Sequence, residues 1–297
     1  RRLREGTMRV LVLGATGMLG HALVGTLVAG GHAVAGTIRP AAAAAAHARA
    51  LAGADVIGGI DLAEPGALAR AFDAARPDAV VNCAGMIKQK AGDEDRAALV
   101  RLNALLPHAV AAEASGRGVR FIHISTDCVF SGRRGRYAET DPTDPTDAYG
   151  MSKLLGEVGA PHLTLRTSLV GWQIGGAESL LEWFWAQRGG TARGFTRAFF
   201  SGFSTPAFAR ILAAVLTDHP ALSGLWHVAA PRISKFDLLS GLNDRLGRPV
   251  ALVPDGALAI DRSLDGRRFA TATAISMPDW PAMLDELAMQ KVRSDVD

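Results

Sequence analysis

Arg9-Val-Leu-Val-Leu13-Gly14-Ala15-Thr16-Gly17-Met18-Leu19-Gly20 is the stretch from which the fold is read. Val10 to Leu13 form the short continuous apolar run of a buried strand, three glycines follow at intervals of three, and Ala22, Leu23 and Leu27 then recur with helical spacing. Strand, glycine turn and helix in that order begin a βαβ unit, in which the turn lets the backbone approach a pyrophosphate whose charge the helix N-terminus favours. The spacing is G-x-x-G-x-x-G rather than G-x-G-x-x-G. Three glycines can equally serve close helix packing, so the strand-to-helix context carries the expectation of a dinucleotide site.

Outward from this turn, strand-like runs at 34–38, 55–60, 79–83 and 120–125 alternate with helical stretches around 41–51, 65–75 and 95–115, and a further strand is expected at 163–170. Such alternation predicts a parallel sheet with helices on both faces, whose ligands bind beyond the carboxyl ends of the strands. The glycine turn, Asn82 to Gly85 and Ser125 to Asp127 all fall at that edge. From Trp172 the simple alternation fades. A helix rich in aromatics at 179–187, another at 207–216 and strands at 225–229 and 250–253 suggest a chain weaving between the sheet and a smaller part. Trp183 and Trp185 read as core or subunit contacts.

The chain has 297 residues, enough for two domains or one large α/β unit, and a formal net charge of +3. Arg1, Arg2, Arg4 and Glu5 contribute +2 of it, three positive charges less one, and precede Met8, so residues 1–7 read as an upstream extension. The remainder is nearly neutral, which gives no electrostatic case for nucleic acid or anionic membranes. No apolar run is strong enough to span a bilayer. Cys83 and Cys128 are too few for a disulfide framework and read as small buried apolar residues of a cytoplasmic protein. The eight histidines lack ligand spacing, and no metal is expected.

Tyr149 and Lys153 stand one helical turn apart, after the strand that ends in Ser125, Thr126 and Asp127. A phenol with an ammonium neighbour can exchange a proton with an oxygen as a carbonyl and an alcohol interconvert. By itself an i, i+4 pair is an ordinary surface feature. At the end of the second strand, NAD sites place a carboxylate for the ribose hydroxyls, whereas here the chain reads Gly36-Thr-Ile-Arg39. Arg39 suits a 2′-phosphate, so NADPH is favoured with NADH as the alternative. Asp61 and Leu62 follow the third strand. Asp61 suits either an adenine contact or a helix cap.

Taken together, Gly14 to Gly20, Asn82-Cys83-Ala84-Gly85, Asn103, Ser125-Thr-Asp-Cys-Val-Phe130-Ser-Gly132 and Tyr149-Gly-Met-Ser-Lys153 resemble the extended short-chain dehydrogenase/reductases. More closely, the chain resembles their dTDP-4-dehydrorhamnose reductase branch, over Met8 to about Leu287 and most specifically over Ser125 to Glu157. The resemblance implies an α/β, Rossmann-type doubly wound parallel sheet. It would span residues 8–170 with 200–224 returning to it, and a smaller substrate-binding part would be built from 171–199 and 225–297.

The resemblance further implies reduction of the C4 ketone of a nucleotide-diphosphate deoxyhexose. Hydride would come from the nicotinamide and a proton from Tyr149, with Thr126 hydrogen-bonding the same oxygen. Lys153 would hold the nicotinamide ribose and lower the phenol pKa, and Asn103 would support Lys153. The cofactor would lie along Gly14, Thr16, Gly17, Met18, Leu19, Gly20, Arg39, Asp61, Leu62, Cys83, Ala84, Gly85, Ser125 and Thr167. The substrate would meet Thr126, Asp127, Cys128 and Leu169, with Lys88, Gln89, Arg262 and Arg268 as candidate polar or diphosphate contacts and a surface role as the alternative for each. Close relatives carry a tyrosine at Cys128 and an aromatic residue at Leu169, which leaves the sugar open. Two other readings stay open: a regulatory subunit on the same fold and a 4-epimerase that retains NAD. A homodimer is compatible with either.

Overall fold

Residues 7–39, 50–86, 96–174 and 178–296 are described by the computed structural model of the chain. The expected helix at 41–51, except its last two residues, and Lys88 and Gln89 lie outside them. Seven parallel strands form the main sheet: β1 (Arg9–Leu13), β2 (Ala33–Thr37), β3 (Asp55–Ile57), β4 (Ala79–Asn82), β5 (Arg120–Thr126), β6 (Leu163–Thr167) and Gly224–His227. Their spatial order is β3-β2-β1-β4-β5-β6, with Gly224–His227 beyond β6. The order reverses beside β1, so the chain leaving β1 and the chain leaving β4 turn to opposite faces of the sheet and open a crevice at the carboxyl ends of these paired strands.

Strand β1 shows why the sheet is covered on both faces. Val10 and Val12 point into a core shared with Leu19, Leu23 and Leu27 of α1 (Met18–Ala29), whereas Leu11 and Leu13 point into one shared with Phe72, Val110 and Phe121. Side chains of a strand alternate faces, so a run apolar at every position needs two cores. The second core is closed by α2 (Ala67–Ala75) and by a long helical stretch, α3, made of Arg96–Leu99, a π-helical segment Val100–Leu105, and Leu106–Arg117. The helix α4 (Ala148–Leu155) packs against the π-helical segment.

The expected strand at 163–170 is two strands, because the chain leaves the sheet at Ser168. Strand β7 (Leu169–Val170) pairs with Phe203–Ser204 instead of β5, and the Ser168 carbonyl accepts a hydrogen bond from Phe203 N at 2.9 Å. From there the chain passes through α5 (Leu180–Ala186), β8 (Thr191–Phe195), β9 (Ala198–Phe200) and β10 (Phe203–Ser204) into α6 (Thr205–Asp218), which packs beside α1 and returns the chain to the sheet at β11 (Gly224–His227). The remaining elements are β12 (Ile233–Ser234), α7 (Lys235–Arg245), β13 (Ala251–Asp255), β14 (Ile260–Asp261), α8 (Arg267–Thr273) and α9 (Trp280–Val296). Ser179, Ser204 and Ser234 cap α5, α6 and α7 by accepting from the backbone N–H three residues on, which fixes where each helix starts.

Candidate active site

At the carboxyl end of β1 the chain turns at Gly14, whose φ of +75° and approach to Ala84 exclude a side chain: a Cβ there would lie 2.8 Å from the Ala84 Cα. Thr37 fastens the turn to β2, its hydroxyl accepting from Gly14 N at 3.0 Å and its carbonyl from Ala15 N at 3.1 Å. Gly17 then begins α1 with extended dihedrals and no side-chain cap. The first-turn N–H groups of α1 thus face the crevice uncapped by a side chain, flanked by glycine backbone, which is the chemistry a pyrophosphate requires. The residues present therefore fit a dinucleotide.

Around this turn, Asn82 Oδ1 accepts from Ala84 N at 3.1 Å and shapes the loop after β4. Cys83 packs against the α1-side core, and burial pushes its thiol up to about 12. Arg39 is exposed beyond the end of β2. Asp61 accepts from Ala63 N at 3.0 Å, so its carboxylate closes a turn, while Leu62 packs against the α2-side core. Thr167 is buried at the end of β6.

The second half of the site is built where β5 ends. Thr126 caps the following turn, Asp127–Val129, by accepting from Cys128 N at 3.2 Å, and its hydroxyl donates to Asp127 at 3.3 Å. Asp147 caps α4 by accepting from Gly150 N at 2.8 Å, which starts the helix one residue before Tyr149. Gly150 lies so close to the Cys128 carbonyl that only glycine fits there. Helix and turn are thereby locked together, with Tyr149 half-buried beside Thr126, Asp127 and Cys128.

Burial and the neighbouring Cys128 push the Tyr149 phenol above its ordinary value, opposed by a hydrogen bond with Thr126. The Lys153 ammonium donates to the Ile124 carbonyl at 2.6 Å. Burial brings Lys153 itself down to about 8, against the pull of Glu157. Asn103 is buried in the widened π-helical turn, with its amide accepting from Met86 N at 2.9 Å and donating to the Met86 carbonyl at 3.0 Å and the Ser152 hydroxyl at 3.2 Å. It thus ties the loop after β4 to α4 through the neighbour of Lys153.

The cations of the C-terminal part divide. Arg262 donates to the Phe130 carbonyl at 2.9 Å and, with Lys235 at the start of α7, lies within electrostatic reach of buried Asp127, whose carboxyl burial pushes up. Arg268 donates to the Leu225 carbonyl at 2.9 Å, reaches Glu139 at 3.5 Å and stacks 3.6 Å over the Trp226 ring, on the edge strand β11. Arg267 pairs with Asp265, and Arg232 pairs with Asp261 while stacking 3.4 Å over Phe199. Leu169 sits in β7, packed against the α1-side core.

Sequence reasoning assigned no role to Glu157, which terminates the Tyr149–Lys153 motif. Its carboxylate accepts from Ser125 Oγ at 2.6 Å and from Arg166 Nε and Nη2, both at 2.7 Å. Arg166 Nη1 in turn donates to His227 Nε2 at 3.2 Å, and His227 Nδ1 donates to the Tyr137 carbonyl at 2.9 Å. Only the internal strand position of Arg166, a charge where β6 is otherwise buried, hints at this network in the sequence.

A model of the family described as the RmlD substrate binding domain matches residues 8–248. The chain is 39% identical to a dTDP-4-dehydrorhamnose reductase of Burkholderia thailandensis over 169 residues, 55% of this chain and 50% of that relative, so the chain spans about half that relative's length. It is 28% identical to the dTDP-4-dehydrorhamnose reductase of Shigella flexneri across 94% of this chain and 98% of that protein. In fold it is similar to the Bacillus anthracis dTDP-4-dehydrorhamnose reductase solved in complex with NADP. The TM-score is 0.77 at 19% identity, covering 96% of this chain and 99% of the other. Among the described residues no helix is long and apolar enough to cross a membrane, and no cluster of histidine, cysteine or carboxylate side chains could hold a metal ion.

Proposed function

Because the chain belongs to the RmlD substrate binding domain family, we propose that it is an NADPH-dependent reductase of the C4 ketone of a nucleotide-linked deoxyhexose. One observation carries the chemistry: a phenol held protonated by burial stands beside the Thr126 hydroxyl at the carboxyl end of β5. Once the Thr126 O–H turns from Asp127, two hydroxyl donors on one carbonyl oxygen stabilise the alkoxide that forms on reduction, and Tyr149 delivers the proton. The nicotinamide supplies hydride when bound. Gly14 to Gly20 and the start of α1 hold the pyrophosphate, Arg39 the 2′-phosphate, and Lys153 the ribose hydroxyls after exchanging its bond to the Ile124 carbonyl. Arg262 and Lys235 meet the substrate's diphosphate, while Arg268 stays with Glu139 and Trp226 on the edge strand.

The same reading places the enzyme in the cytoplasm, where its two free cysteines stay reduced. It also includes a homodimer through α3 and α4, which pack side by side and leave Val100, Leu105, Met151 and Leu155 exposed, Leu105 by 60% and Leu155 by 57%. A thermal-shift panel with NADPH plus dTDP, UDP, GDP or CDP tests the substrate class, because a ligand that binds only the folded chain raises its melting temperature. The largest rise is expected with dTDP. No response to any nucleotide would discard the ketoreductase reading in favour of a regulatory subunit.

A further inference from the structure

Lys153 is a buried ammonium, 7% exposed, that donates to the carbonyl of Ile124. A carbonyl carries no charge, and an ammonium taken out of water without a counter-charge gives up its proton. The groups that face Lys153 come from three elements. Cys83 at the end of β4 is a thiol held protonated by burial, and His123 on β5 is held neutral by burial and by Lys153 itself. Glu157 lies just past the end of α4, one helical turn after Lys153, and its carboxylate is held by Ser125, the strand neighbour of the Ile124 that takes the ammonium. Tyr149, on Lys153's own helix, is uncharged as well.

Glu157 is itself held in place. Ser125, the residue after the one whose carbonyl takes Lys153, donates to Oε1, and Arg166 grips both carboxylate oxygens in a bidentate pair. Behind Arg166, His227 fixes the guanidinium, with its ring proton on Nδ1 toward the Tyr137 carbonyl and Nε2 accepting. We propose that Glu157, positioned by Ser125 and Arg166, is the counter-charge that keeps Lys153 protonated in its ribose-binding place. Glu157 touches neither substrate nor cofactor and acts through Lys153. Arg166 shares the charge of this carboxylate, and removing the guanidinium leaves the carboxylate unshared.

This inference rests on Lys153 being the ribose anchor, and the test separates the two claims without needing turnover. NADPH affinity is measured by fluorescence titration from about pH 7 to about pH 10, the range in which a lysine depressed by burial titrates. In the wild type, affinity is expected to fall as Lys153 loses its proton near pH 8. Glu157→Gln is expected to move that midpoint down by about one unit or more, the usual effect of losing a close opposite charge, and Glu157→Asp to restore part of it. Arg166→Gln is expected to move it up, a sign that a merely structural role would not produce. An unmoved midpoint in Glu157→Gln would overturn the proposal. Should that variant not fold, a midpoint in Arg166→Gln that is unchanged or lowered would overturn it equally. If instead the wild type binds NADPH with no dependence on pH, or Lys153→Met keeps the wild-type profile, the anchoring role falls and the proposal with it.

Discussion

A lysine and a tyrosine one turn apart acquire opposite electrostatic tasks from the same burial. For Tyr149 burial holds the proton on, which suits a donor in the reductive direction. For Lys153 burial loosens the proton and brings its value from 10.5 to about 8. The sign of the consequence for stability follows from proton binding. Between about pH 8 and 10.5 the unfolded chain holds a proton on this lysine that the folded chain has released, so stability rises with pH across that window. Tyr149 works the other way only above its ordinary value of 10.0. Urea denaturation of the cofactor-free protein at pH 7, 8 and 9 should therefore show a rising contribution that disappears in Lys153→Met; an identical slope in both proteins would contradict the burial account. Arg39→Ala should weaken NADPH binding far more than NADH binding, because only NADPH offers the 2′-phosphate. Equal losses for both cofactors would remove Arg39 from the site.

The elements differ in how far the sequence exposes them. The β1–turn–α1 unit is legible because everything it needs is local: an apolar run, glycines where the backbone must come close to Ala84, and a helical repeat. The Tyr149–Lys153 pair is legible for the same reason, as a spacing on one helix. The break at Ser168 is not. Residues Leu163 to Val170 are uniform enough in character for one strand, and only the arrival of Phe203 from 35 residues away, 203 less 168, gives the last two a different partner. Glu157 escaped notice for a similar reason, since its three ligating contacts come from β5 and β6 and its support from β11. The cations at 232–268 could not be sorted by spacing either: Arg262 and Arg268 lie six residues apart, 268 less 262, yet one turns toward Asp127 and the other toward Trp226. Asn103 joins the β4 loop to α4 with three hydrogen bonds. Asn103→Ala leaves the Met86 backbone groups unpaired and is expected to cost about 1–3 kcal/mol in chemical denaturation, together with weaker NADPH binding. A change below about 0.5 kcal/mol would contradict that bridging role.

At the scale of the whole molecule, the half of the sheet from β1 to β4 carries the glycine turn and the half from β5 to β11 carries Thr126, and the Glu157–Arg166–His227 chain fastens the latter to the segment that carries Tyr137 and Glu139. The small paired strands beyond Ser168 then bring Arg262 and Lys235 over Asp127. The face made by Leu105 and Leu155 belongs to this scale too. Glutamate at both positions should convert a dimer to a monomer in light scattering, and a mass unchanged by the substitutions would exclude that face as the subunit contact. The central claim is the reaction itself, and the most direct measurement is NADPH oxidation with a dTDP-linked 4-keto-6-deoxyhexose by the wild type and by Tyr149→Phe. The wild type is expected to reduce the ketone, and the variant to lose roughly 10²- to 10⁴-fold in turnover while binding NADPH as before. Undiminished turnover in Tyr149→Phe, or no reduction by the wild type, would contradict the account.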